Sequence, residues 1–94
     1  MAQPNILILM VDQLNGTLFP DGPADWLHTP NLKRLAARSA RFANTYTASP
    51  LCAPGRGGFM SSMLPSRTGI YDNAAEFRAD IPTFAHHLRR AGYQ

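Results

Sequence analysis

The chain has one cysteine, Cys52, so no internal disulfide can form and the thiol has either a packing role or a chemical one. Long apolar runs are also missing. The longest, Ile6-Leu7-Ile8-Leu9-Met10-Val11, falls far short of the roughly 18 residues a transmembrane helix needs. Basic residues are not grouped: Lys33, Arg34, Arg38, Arg41, Arg56, Arg67, Arg78, Arg89 and Arg90 are spread along the chain, and the formal charge is only +3. That distribution excludes a nucleic-acid tract. The opening Met1-Ala2-Gln3-Pro4 has no basic residue, and the apolar run after it leads straight into Asp12, which is not the pattern of a signal peptide. With no leader, no membrane segment and no paired cysteines, the expected location is cytoplasmic. There is no repeat and no low-complexity segment. At 45% hydrophobic and 16% charged residues, the composition is neither disordered nor membrane-spanning.

What is present reads as α/β. Residues 6–11 are continuously apolar, as in a parallel strand buried on both faces. Residues 14–28 are rich in Gly, Pro and Asp and read as a loop, with Trp26 and Leu27 as its anchors. Thr29 is placed to cap a helix with Pro30 in its first turn, and Leu32, Leu35 and Ala36 give that helix one apolar face. Residues 40–47, with Phe42 and Tyr46, alternate partly and suggest a second strand. Pro54 opens a second helix, which carries Phe59, Met60 and Met63 and stops near Pro65. Residues 66–81 read as a polar loop. A third helix starts at Ile81-Pro82-Thr83, with Phe84, Ala85, Leu88 and Ala91 on its core face and Gly92 as its C-cap. One buried strand needs neighbours on both sides and helices above and below, so residues 1–94 are expected to be the incomplete N-terminal portion of a larger domain.

The chemistry concentrates around Cys52, in Ser49-Pro50-Leu51-Cys52-Ala53-Pro54-Gly55-Arg56. Proline suits a helix first turn, where its missing N–H costs nothing. Cys52 then lies at a helix N-terminus, where unpaired N–H groups and the macrodipole favour an anion. Arg56 can project a permanent positive charge toward the same spot. The plainer alternatives are a small buried thiol and a solvated arginine. Three glycines, Gly55, Gly57 and Gly58, stand where helix formers are usual, each costing roughly 1 kcal/mol relative to Ala; close backbone approach would account for them. Asp12 and Gln13 follow the end of the first strand, the place where ligands gather in open α/β sheets. A carboxylate there is either a hard-oxygen metal ligand or a turn residue. His86 and His87 are adjacent on a helix, point about 100 degrees apart, and read as helix residues, not ligands. Asp72 and Glu76 read as structural or surface residues.

The Cys-x-Pro-x-Arg pattern resembles the signature of the type I sulfatases. The resemblance extends over Asn5 to Gln13, Thr29-Pro30-Asn31-Leu32, the cysteine box, Tyr71 to Phe77, and Ile81 to Tyr93. The stretches Leu14 to Trp26 and Tyr71 to Phe77 are similar to choline sulfatases in particular. The resemblance implies an alkaline-phosphatase-like α/β sandwich with a large mixed sheet. It implies that a maturation enzyme converts Cys52 to formylglycine, whose hydrated form is the nucleophile. Arg56 is then a catalytic partner, Asp12 and the converted Cys52 hold a divalent cation, Ca²⁺ foremost, and Gln13 and Asn73 bind the substrate. Two consecutive aspartates are common in the family where this chain has Asp12-Gln13. Gly55 replaces a frequent serine.

The implied reaction is hydrolysis of a small sulfate ester, with choline O-sulfate as the expected substrate. Phosphonate or phosphate monoester hydrolysis with Mn²⁺ or Zn²⁺ is the nearer alternative, because a tetrahedral oxyanion site does not by itself separate sulfur from phosphorus. A non-catalytic relative with unconverted Cys52 is the further one. The remaining metal ligands and acid/base groups are expected outside these residues, so the isolated segment should be inactive. No nucleic acid or membrane partner is expected, and homo-oligomerisation is left open.

Overall fold

A computed structural model of the chain describes residues 3–19 and 21–94. The leaderless reading of Met1-Ala2 therefore lies outside the described residues, as does Pro20 of the choline-sulfatase-like stretch. The described residues form two compact units, Met1–Asn44 and Thr45–Gln94.

The first unit contains a 3₁₀ turn, Gly16–Leu18, and the helix α1, Pro30–Ala36. Asn15 caps the turn by accepting from the Thr17 N–H at 2.9 Å. Pro30 opens α1 as its sequence suggests, but Thr29 does not cap it: the Thr29 Oγ1 is buried with no hydrogen-bond partner among the described residues. Ion pairs join Lys33 to Asp25 and Arg41 to Asp21, each at 3.6 Å. Two further expectations fail here. Among the described residues no strand forms, neither at 6–11 nor at 40–47. Every side chain from Ile6 to Val11 stays between 48% and 80% exposed. The reason is non-local: a strand takes both its hydrogen bonds and its burial from neighbours, and none forms among these residues. The large mixed sheet is accordingly not seen. Trp26 is not an anchor either, being 74% exposed.

The second unit holds α2 (Cys52–Ser61), α3 (Pro65–Thr68) and α4 (Phe84–Arg90). α3 is an addition to the sequence reading, in which these residues were loop. It is a single turn opened by Pro65 and closed by Gly69, whose φ of +77° is the left-handed geometry glycine adopts freely. Thr68 and Ile70 behind it are almost fully buried, and Thr68 Oγ1 accepts from the Ile70 N–H at 3.3 Å. Both α3 and α4 pack on α2, with Phe59 and Phe84 meeting edge to face at 5.5 Å between ring centroids.

This packing explains two of the three glycines. A Cβ on Gly57 would stand 2.9 Å from Ile70 Cδ1 and 3.5 Å from the Phe77 ring. One on Gly58 would stand 2.9 Å from the Ala48 Cβ and 3.2 Å from the Met63 carbonyl. The low helix propensity of glycine is offset by contacts no larger residue could make. α4 starts after its N-cap Thr83 and ends at Arg90 with Ala91 as C-cap, one residue before the expected Gly92, whose φ is +90°. His86 is not a bystander: its Nδ1 accepts from the Thr83 N–H at 3.1 Å and completes the N-terminal cap.

Candidate functional site

α2 begins two residues before Pro54, so Cys52 is itself the first helical residue, and its side chain is exposed. Arg56, four residues on, lies on the same helix face and is exposed as well. The loop feeding the helix is fixed by its own side chains. Thr47 Oγ1 donates to the Ser49 carbonyl at 2.8 Å, and Ser49 Oγ accepts from the Leu51 N–H at 3.3 Å. Gly55 sits against this loop, since a Cβ there would stand 2.9 Å from the Ser49 carbonyl oxygen. The missing hydroxyl noted in the sequence thus has a steric reason: the loop carbonyl occupies the space.

Asn73 arrives from across the unit. Its Oδ1 accepts from the Ala53 N–H at 2.9 Å, which sets it against the first turn of α2. Asp72 shapes this approach by accepting from the Ala74 and Ala75 N–H groups at 2.9 and 3.0 Å. Beside Arg56 an apolar groove of about 320 Å³ is lined by Ala53, Gly57, Met60, Ile70, Ala75, Phe77 and Thr83. Cys52, Arg56 and Asn73 are therefore gathered at one end of one helix: a thiol, a fixed cation and an amide.

Asp12 and Gln13 belong to the first unit, in an exposed turn directly after Val11. Gln13 has φ +53°, the left-handed region that a long side chain enters at a cost of roughly 1–2 kcal/mol. Among the described residues no three His, Cys, Asp or Glu side chains converge on a metal position. Asp12 offers oxygen of the right hardness for Ca²⁺ or Mg²⁺, but these cations take six to eight, or six, oxygen ligands respectively. The donor type fits a hard cation, and the donor number requires ligands from outside this segment.

The sulfatase family model matches residues 4–94 of this chain. The chain belongs to the sulfatase family. This sulfatase segment is 75% identical to the choline-sulfatase of Rhizobium meliloti over 92 residues, covering 98% of the chain and 18% of that relative. It is 35% identical to a sulfatase of Formosa agariphila, over 97% of the chain and 20% of the relative. It is 36% identical to N-acetylgalactosamine-6-sulfatase of Mus musculus, over 96% and 20%. The segment thus spans about a fifth of the length of these sulfatases. No helix among its described residues is long and apolar enough to cross a membrane.

The sequence singled out Cys52, Arg56 and Asn73 and missed what Asn73 and Asp72 do to the backbone. The run Asp72-Asn73-Ala74 did carry a signal, because Asp commonly accepts from N–H groups two or three residues on.

Proposed function

We propose that the full-length protein hydrolyses a sulfate monoester, choline O-sulfate, to choline and sulfate, and that residues 1–94 are the N-terminal part of its catalytic domain. The observation that carries the reading is the exposed Cys52 at the first position of α2, with Arg56 one turn away and Asn73 on the same first turn. The 75% identity to a choline-sulfatase across the chain supports the choice of substrate.

In this reading Cys52 is converted to formylglycine; one hydroxyl of its hydrate attacks sulfur as the S–O bond to the alcohol breaks, and the second hydroxyl loses its proton, expels sulfate and restores the aldehyde. Arg56 offsets the negative charge of the sulfate and orients the nucleophile, as a permanently protonated guanidinium can. The N-terminal end of α2 adds a favourable potential for the same anion. Asn73 presents its NH₂ group to a sulfate oxygen, because its carbonyl already faces Ala53. Asp12 and the converted residue 52 would each supply a ligand to a divalent cation, Ca²⁺, with further ligands from the rest of the protein, and Gln13 would contact the substrate. When bound, that cation polarises a sulfate oxygen and orients the ester. Neither residues 14–26 nor residues 71–77 carry a cluster of basic groups suited to a polyanionic glycan, which favours a small ester with a cationic tail.

Specificity constants of the full-length protein for choline sulfate, a neutral aryl sulfate and a phosphonate monoester test the proposal. Choline sulfate is expected to be the best of the three. A preference for the phosphonate would move the assignment to phosphorus chemistry on the same residues; no hydrolysis of any of them by a preparation carrying formylglycine would remove it.

A further inference from the structure

α2 starts without a capping side chain of its own. Its N-cap position is Leu51, which offers no acceptor, whereas Ser, Thr, Asp or Asn normally supplies one there. Two N–H groups at this end of the helix are instead met from elsewhere in the chain. The Leu51 N–H reaches Ser49 Oγ, Pro54 has no N–H, and the Ala53 N–H reaches Asn73 Oδ1, a residue twenty positions further along the chain. Asn73 is held in its turn. Asp72 ties down the backbone on its far side through Ala74 and Ala75, and Ala75 and Phe77 lie in the groove beside Gly57 and Arg56. The loop therefore meets α2 at two levels, by a hydrogen bond at the first turn and by apolar contact one turn on.

We infer that Asn73 is a positioning residue for the nucleophile: its side-chain carbonyl clamps the loop at residues 71–77 onto the first turn of α2 and fixes Cys52, the neighbour of Ala53, relative to Arg56. This goes beyond a contact with substrate, because it assigns a role to the carbonyl end of the amide, which accepts from the Ala53 N–H. It rests on the proposed reaction only for its effect on turnover; the clamp itself does not depend on that reaction.

Two variants of the full-length protein separate the roles. Asn73→Asp keeps an oxygen for the Ala53 N–H, and Asn73→Ala has none. Hydrogen exchange at the Ala53 amide can be followed in a peptide spanning residues 51–56, where Pro54 contributes no amide. Exchange is expected to rise about five- to tenfold in N73A and to stay near wild type in N73D, as for the loss or retention of one hydrogen bond. In N73A, kcat is expected to fall by about five- to tenfold or more, in addition to any rise in KM from loss of the proposed NH₂ contact with substrate. Exchange in N73A equal to wild type overturns the inference. A raised KM with unchanged kcat also overturns it, leaving Asn73 as a plain substrate contact. Should N73A fail to fold, N73D decides: retained protection supports the clamp, and loss of protection contradicts it. If the wild-type protein hydrolyses no sulfate ester, the proposed reaction fails, and the exchange measurement still judges the clamp.

Discussion

In the first unit no described residue is buried, whereas Pro54, Gly57, Gly58, Thr68, Ile70, Ile81 and Thr83 are all buried in the second. Hydrophobicity does not explain the difference, since the most apolar run of the chain, residues 6–11, lies in the first unit. The distinction is the range over which each kind of element finds its partners. α2, α3 and α4 cover one another within fifty residues, close enough in sequence for their contacts to form together. The run at 6–11 needs strands and helices that do not form among the described residues. Covering its six side chains would stabilise a fold by on the order of 10 kcal/mol. The candidate functional residues of each unit inherit this contrast. Cys52, Arg56 and Asn73 stand on a packed scaffold, while Asp12 and Gln13 follow an uncovered run.

The largest effect that would sharpen the contrast is expected from Ile8→Asp. In the isolated segment, where Ile8 is 48% exposed, the helical content should not change. In the full-length protein the same substitution is expected to cost about 3–5 kcal/mol, as for a charge forced into a covered strand. Chemical denaturation of both forms checks this, and equal effects in the two would break the comparison. Next come two glycines, one from each unit. Gly58→Val is expected to destabilise by about 1–3 kcal/mol, because the Ala48 Cβ and the Met63 carbonyl cannot swing aside. Gly16→Ala meets nothing within 4 Å and should stay within about 0.5 kcal/mol of wild type. Gln13→Gly relieves a left-handed φ and is expected to raise stability by up to about 1 kcal/mol while lowering turnover of the full-length protein.

The smallest effect belongs to the Arg78–Asp80 pair. The hydrogen bond from Arg78 holds the Asp80 carboxyl below its ordinary value and, reciprocally, raises that of Arg78. The sign follows: whatever stability the pair contributes is present above the ordinary carboxylate range and is lost as pH falls through the depressed Asp80 value. Both side chains are largely exposed, at 65% and 64%, so solvent screening leaves little. Asp80→Asn should leave the melting temperature unchanged at neutral pH, in low and high salt alike.

Local signals were the ones legible in the sequence. Pro30, Thr83 and Gly92 mark helix boundaries because capping and the fixed φ of proline act within one turn. α2 began earlier than Pro54 suggested, since proline is tolerated anywhere in the first turn, and here it is the third helical residue. α3 escaped notice because four residues carry no periodicity. The strand at 6–11 was read from an apolar run whose pairing depends on residues far away. For the candidate site, the placement of Cys52 and Arg56 at one helix end was legible from Pro54 and their spacing, while their proposed roles and that of Asn73 came from family resemblance. The bond from Ala53 to Asn73 was not, because no sequence pattern links residues twenty apart across a turn and a helix. The glycines were legible as an anomaly, and only packing gave the reason.

The central claim is that Cys52, presented at the first position of α2, is the precursor of the nucleophile. The most direct test is mass spectrometry of the peptide containing Cys52, taken from full-length protein that is hydrolysing sulfate ester. The account predicts an aldehyde, formylglycine, at position 52, in proportion to the activity of the preparation, with none of either in Cys52→Ala. An intact thiol throughout an actively hydrolysing preparation would contradict it.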